Sequence, residues 1–253
     1  MSSMSLRSRC FHCQCAIPDG LKVREHIQPK FLDGSKANGA LLVCAECSKH
    51  EAARRYLEYK VYSVSNNKEP YSNFIESMYE LEVLLQVKLP DVKLDSSVAK
   101  ISFASAITSM ETYLSDTFIN KVTGDELLLR RCVETDPEFK SRKFQLSEIF
   151  LRASSLAAEV RNYLVDVLFH NLAKVKMMYL SVLQVEFPDD LSDLYKAVEI
   201  RHDIVHRGGK DKQGVIKPIQ KEEVFALIAL LRGFTQGIEE QLYVNGHSGG
   251  DRV

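Results

Sequence analysis

From residue 74 onward the apolar positions of the chain recur at helical intervals. Phe74, Met78, Leu81, Leu84 and Leu85 fall on one helix face, and Leu89-Pro90 ends that element. A second helix is predicted over about 96–122, with Val98, Ile101, Ala106, Met110, Tyr113, Leu114 and Phe118 mostly inward and Thr123-Gly124 closing it. Residues 126–143 are charged and mixed, which reads as a short helix plus a loop, and one helix or a broken pair covers about 145–185. Asp189 or Asp190 suits the N-cap of a helix from Leu191 to about His206, which Gly208-Gly209 stop. A last helix, about Lys221 to Tyr243, gathers Val224, Leu227, Ile228, Leu231, Phe234 and Ile238 on one stripe. Strand-like alternation is nearly absent outside the first 62 residues, so the expected body is an all-α bundle.

The first 62 residues follow a different logic. Only a short helix, about Glu51 to Tyr59, is predicted there, and the polar run Ser63 to Pro70 reads as a connection. The pattern Cys10-Phe11-His12-Cys13, a gap of 30 residues, then Cys44-Ala45-Glu46-Cys47 makes two knuckles. Two residues between cysteines let both thiolates reach one zinc ion, and two knuckles complete a closed four-sulfur tetrahedron. A segment this poor in apolar side chains draws its folding free energy from the metal, on the order of 10 kcal/mol. Cys15, His12 and His50 are near enough to substitute as ligands. Five of the six cysteines lie in the first 47 residues, a crowding that favours a metal site in a reducing compartment over disulfides. Cys132 stands alone in the helical region as a core residue. The expected organisation is therefore 1–62 zinc module, 63–95 linker and connecting helix, 96–246 helical bundle.

Composition narrows function mainly by exclusion. The hydrophobic fraction of 45% and charged fraction of 26% are those of a folded globular chain. A net charge of −1 rules out a global field for nucleic acid, so any such contact needs a local patch. No apolar run is long enough to cross a bilayer, and the opening residues lack the apolar segment of a secretory signal. A cytoplasmic location without membrane partners is expected.

Between the knuckles sit Glu25 and His26, followed by Ile27 and Pro29. An acidic residue and a histidine in this setting resemble the HNH endonuclease family, in which two knuckles hold structural zinc around a ββα fold. The resemblance covers about Cys10 to Tyr56. It implies His26 as the general base that activates water and Glu25 as a ligand of a catalytic divalent cation. Family members usually have asparagine after the last cysteine, where this chain has Ser48. The other reading of the module is a docking element for nucleic acid or protein that keeps the HNH shape without the chemistry.

The densest chemistry lies near residue 201. Leu194, Ala197 and Val198 form an apolar stripe that continues into Arg201 and Val205. A guanidinium on a core-facing line needs a carboxylate or a cleft, and Glu111 on the second helix is a candidate partner. His202 and His206 share another face four residues apart, with Arg207, Lys210, Lys212, Lys217 and Lys221 making the following stretch locally basic. The two histidines could also form a zinc pair, but no neighbouring ligand in sequence supports that; His170 reads as structural.

The string Arg201-His202-Asp203-Ile204-Val205-His206 resembles the arginine, four residues, histidine motif of the HEPN family, and the resemblance extends over about Val98 to Val244. It implies a homodimer in which two such helices form one composite cleft, and a metal-independent endoribonuclease. In that reading His206 acts as general acid or base, Arg201 neutralises the phosphorane, and His202 supports it. A toxin or antiviral-defence role, with an antitoxin or defence partner, follows from the same analogy. Some HEPN members have a tyrosine two residues after the histidine; here that position is Gly208. The alternatives are an HNH-type DNA endonuclease whose helical body only dimerises, and a non-catalytic nucleic-acid or protein interaction protein.

Overall fold

The computed structural model describes residues 45–88, 91–216 and 218–247. The expected ββα module, with Cys10, Cys13, Cys44, Glu25 and His26, lies outside those residues; Cys47 is described only as backbone in the first turn of a helix. The chain divides into two compact units, 1–60 and 61–253. The first unit is described only from residue 45, as part of α1 (Ala45–Asn66).

The second unit is a helical bundle. Its elements are α2 (Pro70–Gln86), α3 (Val92–Gly124), α4 (Glu126–Thr135), α5 (Pro137–Ser141), α6 (Ile149–Leu164), α7 (Leu172–Met178), α8 (Ser192–Arg207) and α9 (Lys221–His247). A 3-10 turn, Leu146–Glu148, precedes α6, and a π-helical turn, Tyr179–Leu183, continues α7. Among the described residues no strand forms beyond a single bridge between Lys210 and Ile216, and no helix is long and apolar enough to cross a membrane.

Side-chain caps set several helix starts. Asp91, Asp125, Asp136 and Asn171 each accept a backbone N–H from the turn they open. At α8 the expected cap falls one residue early: Asp190 accepts the Ser192 N–H, while Leu191 occupies the cap position.

α3 is the axis of this unit, packed by α2, α4, α6, α8 and α9. From Ala106 to Val122 it buries residues nearly all round, including Ile107, Met110, Tyr113, Leu114, Phe118 and Ile119. That encirclement explains one difference from the sequence reading. Ile101, expected inward, is 63% exposed, because the N-terminal part of α3 has an open side. α2, read from sequence as a connecting helix, belongs to the same core through Phe74, Met78 and Leu85, with Leu84 on its solvent side. α1 also runs on through Ser63 to Asn66, where a connection was expected, because Val64 is buried and nothing in Ser-Val-Ser-Asn breaks a helix.

Two polar devices hold α3 in place. Arg161 on α6 donates to Ser65 Oγ and Thr123 Oγ1, which lie in the last turns of α1 and α3. Its charge thereby meets two helix C-termini, where backbone dipoles favour a cation. Fully buried Tyr179 donates its hydroxyl to the Leu114 carbonyl at 2.7 Å. Tyr179→Phe is expected to lower stability by about 1–2 kcal/mol, read from urea melts, because that buried carbonyl loses its side-chain donor.

The turn after Tyr179 ends in Gln184, a non-glycine residue at φ 56. Its exposed carbonyls are clamped from α9: Asn245 donates to Leu183 and Gln184, and Gln241 both donates to the Glu186 carbonyl and accepts its N–H. Cys132 is buried at the α4 surface, and burial, with Asp136 nearby, pushes its thiol up to about 12. It is an inert core residue, not a nucleophile.

Candidate functional site

α8 positions the residues singled out above. Leu194 and Ala197 anchor it in the core, and Gly208 ends it in the left-handed conformation at φ 63. Gly209, also at positive φ, donates to the Asp203 carbonyl at 2.9 Å, so the chain leaves the helix at a fixed point.

Arg201 turns toward α3. Its Nη2 lies 3.5 Å from Glu111 Oε2, with side-chain exposures of 19% and 15%. No hydrogen bond between the two accompanies this long contact among the described residues. Arg201 Nε and Glu111 Oε1 are both closed off from solvent and have no hydrogen-bond partner among the described residues. Burial raises the Glu111 carboxyl above its ordinary range, while Arg201 and then His170 pull it back down. The pair is therefore real but incomplete: desolvation outweighs the attraction of its partner. His170, half-buried in the α6–α7 connection, is part of the electrostatic surroundings of this pair.

His202 and His206 sit elsewhere on α8. Both are exposed, and their rings lie 4.6 Å apart at 45° to each other. Five helical steps separate Arg201 from His206, about 140° around the axis. No hydrogen bond or ion pair joins Arg201 to either imidazole among the described residues. Within one chain the structure thus brings together Arg201 with Glu111, and His202 with His206.

The basic stretch after α8 is largely neutralised. Arg207 pairs with Asp203, Lys212 with Glu199 at 2.8 Å, and Lys221 with Asp95 at 2.8 Å. Lys210 is exposed, and Lys217 lies outside the described residues. The expected phosphate-facing patch is accordingly weaker than its residue count suggests, since intrachain carboxylates hold three of its cations.

A pocket of 430 Å³ opens beside α8, lined among others by Glu199, Ile200, Asp203, Asp211, Pro218 and Glu223. Sequence reading did not foresee it. The signal was the glycine set at 208, 209 and 214, whose positive φ values fold the loop back along α8. Its carboxylates suit it poorly to a phosphate. Among the described residues no group of three or more His, Cys, Asp or Glu is arranged to hold a metal.

No protein-family model, curated protein or solved structure matches this chain. The HEPN and HNH likenesses rest on the residues quoted for them.

Proposed function

We propose that the chain is a metal-independent endoribonuclease of HEPN type, working as a homodimer, with the N-terminal module recognising nucleic acid or a partner protein. The observation that carries the reading is the end of α8, where two exposed imidazoles stand on the same helix as a mostly covered guanidinium. In this mechanism one His206 nitrogen removes the proton of an RNA 2′-hydroxyl, whose oxygen attacks the adjacent phosphorus. The phosphorus–5′-oxygen bond breaks and the leaving oxygen takes a proton from water, giving a 2′,3′-cyclic phosphate, while the His206 imidazolium returns its proton to solvent. Arg201 stabilises the charge on the phosphorane, and His202 holds the neighbouring phosphate oxygen. Because Arg201 and His206 diverge around one helix, the second chain of the dimer supplies the facing half of the cleft. Such chemistry fits a toxin or antiviral-defence role.

The test is a single-stranded RNA oligonucleotide and its 2′-deoxy counterpart, incubated with the full chain briefly in EDTA and, separately, in Mg²⁺. Cleavage of RNA alone supports the proposal; magnesium-dependent cleavage of DNA supports instead the HNH reading through Glu25 and His26. No cleavage of either substrate supports a non-catalytic interaction protein.

The same proposal assigns a structural zinc to Cys10, Cys13, Cys44 and Cys47. Metal analysis of the purified chain is expected to give one zinc per chain, lost when Cys10 and Cys13 are both changed to serine. Retention of zinc in that variant would remove the four-sulfur assignment.

A further inference from the structure

The imidazole pair on α8 has the dimensions of a chelate. A metal ion bound about 2.0–2.1 Å from an imidazole nitrogen lies roughly 3.2 Å from the ring centroid. Rings whose centroids are 4.6 Å apart can, by side-chain rotation, both place a nitrogen on one ion between them. Imidazole suits the late divalent ions, whose affinity rises through nickel to copper and falls again at zinc. Two basic groups at this end of α8 are already engaged within the chain, Arg207 with Asp203 and Lys212 with Glu199. Both rings are exposed, so water can complete the coordination sphere.

We propose that His202 and His206 form a two-imidazole site for a divalent late transition-metal ion of the nickel or copper type. The helix presents both nitrogens one turn apart, so the site needs no rearrangement of the bundle. Binding uses the nitrogen lone pairs, so a proton and the ion compete for the same atoms. An ion held there occupies the nitrogen lone pair that His206 would use on RNA. That consequence, inhibition by the metal, rests on the ribonuclease proposal; the binding itself does not.

The experiment is a calorimetric titration of Ni²⁺ into the full, untagged chain loaded with one equivalent of zinc, near pH 7.5. Wild type is expected to bind one equivalent that is absent when both histidines are changed to glutamine. His202→Gln and His206→Gln singly are each expected to weaken it by about ten-fold or more, since a chelate fails when either arm is removed. An unchanged equivalent in the double variant overturns the proposal, as does a single variant binding like wild type. Because the readout is metal and not cleavage, a protein that binds Ni²⁺ here but leaves RNA intact refutes the ribonuclease alone.

Discussion

His206→Ala is expected to lower metal-independent RNA cleavage by about 10²–10⁴-fold, the usual contribution of a positioned acid or base. The substitution is well suited to the question because the side chain is exposed in the last turn of α8 and makes no side-chain hydrogen bond among the described residues. Helical content and melting temperature should stay close to wild type, since surface changes usually cost under about 0.5 kcal/mol. Cleavage is followed with a labelled oligonucleotide under single-turnover conditions, which separates chemistry from release. Undiminished cleavage by the variant would exclude His206 from the reaction whatever the rest of α8 does.

A second large effect concerns stability and is asymmetric. Arg201→Met should cost about 2–3 kcal/mol at neutral pH, because it leaves the covered Glu111 carboxylate without its main counter-charge. Glu111→Gln should cost no more than about 1 kcal/mol, since the folded state already disfavours the ionised form. The sign with pH follows from linkage. Glu111 has a raised carboxyl in the folded chain, so the folded state binds its proton at a pH where the unfolded chain has lost it. The stability contributed is complete below the ordinary glutamate range, near 4.3, and is lost as pH rises through the raised value. Glu111→Gln removes that dependence, and the penalty of Arg201→Met shrinks as Glu111 protonates. Urea melts at pH 7.5 and pH 5 read both. Equal costs for the two substitutions at pH 7.5 would mean a tight, mutually stabilising pair and would contradict the geometry described here.

Legibility in the sequence varied with how each helix is surrounded. α9 has one buried side, and all six of its predicted core positions, Val224 to Ile238, are buried. The stop at Gly208-Gly209 was equally plain, because only glycine takes those positive φ values without strain. Arg201 was informative for the opposite reason: a charge on an apolar stripe demands a partner, and Glu111 is that partner. α3 was read less well, since a helix covered on most sides has little periodicity to display. Within 145–185, read as one helix or a broken pair, the places of the breaks were hidden. The π-helical turn depends on Tyr179 reaching Leu114 and on amides from α9, contacts between residues far apart in the chain. For the site, local spacing revealed which side chains share a face, but not that Arg207, Lys212 and Lys221 are paired within the chain.

The clamp on residues 183–186 sets an order of events during synthesis. Asn245 and Gln241 reach back across 55 to 62 residues to close carbonyls that, among the described residues, no nearer group satisfies. While the ribosome is still making α9, those carbonyls can bond only to water, so the corner between α7 and α8 stays unsealed. The corner that leads into α8 thus gains these contacts only when the turns of α9 around Gln241 and Asn245 have formed.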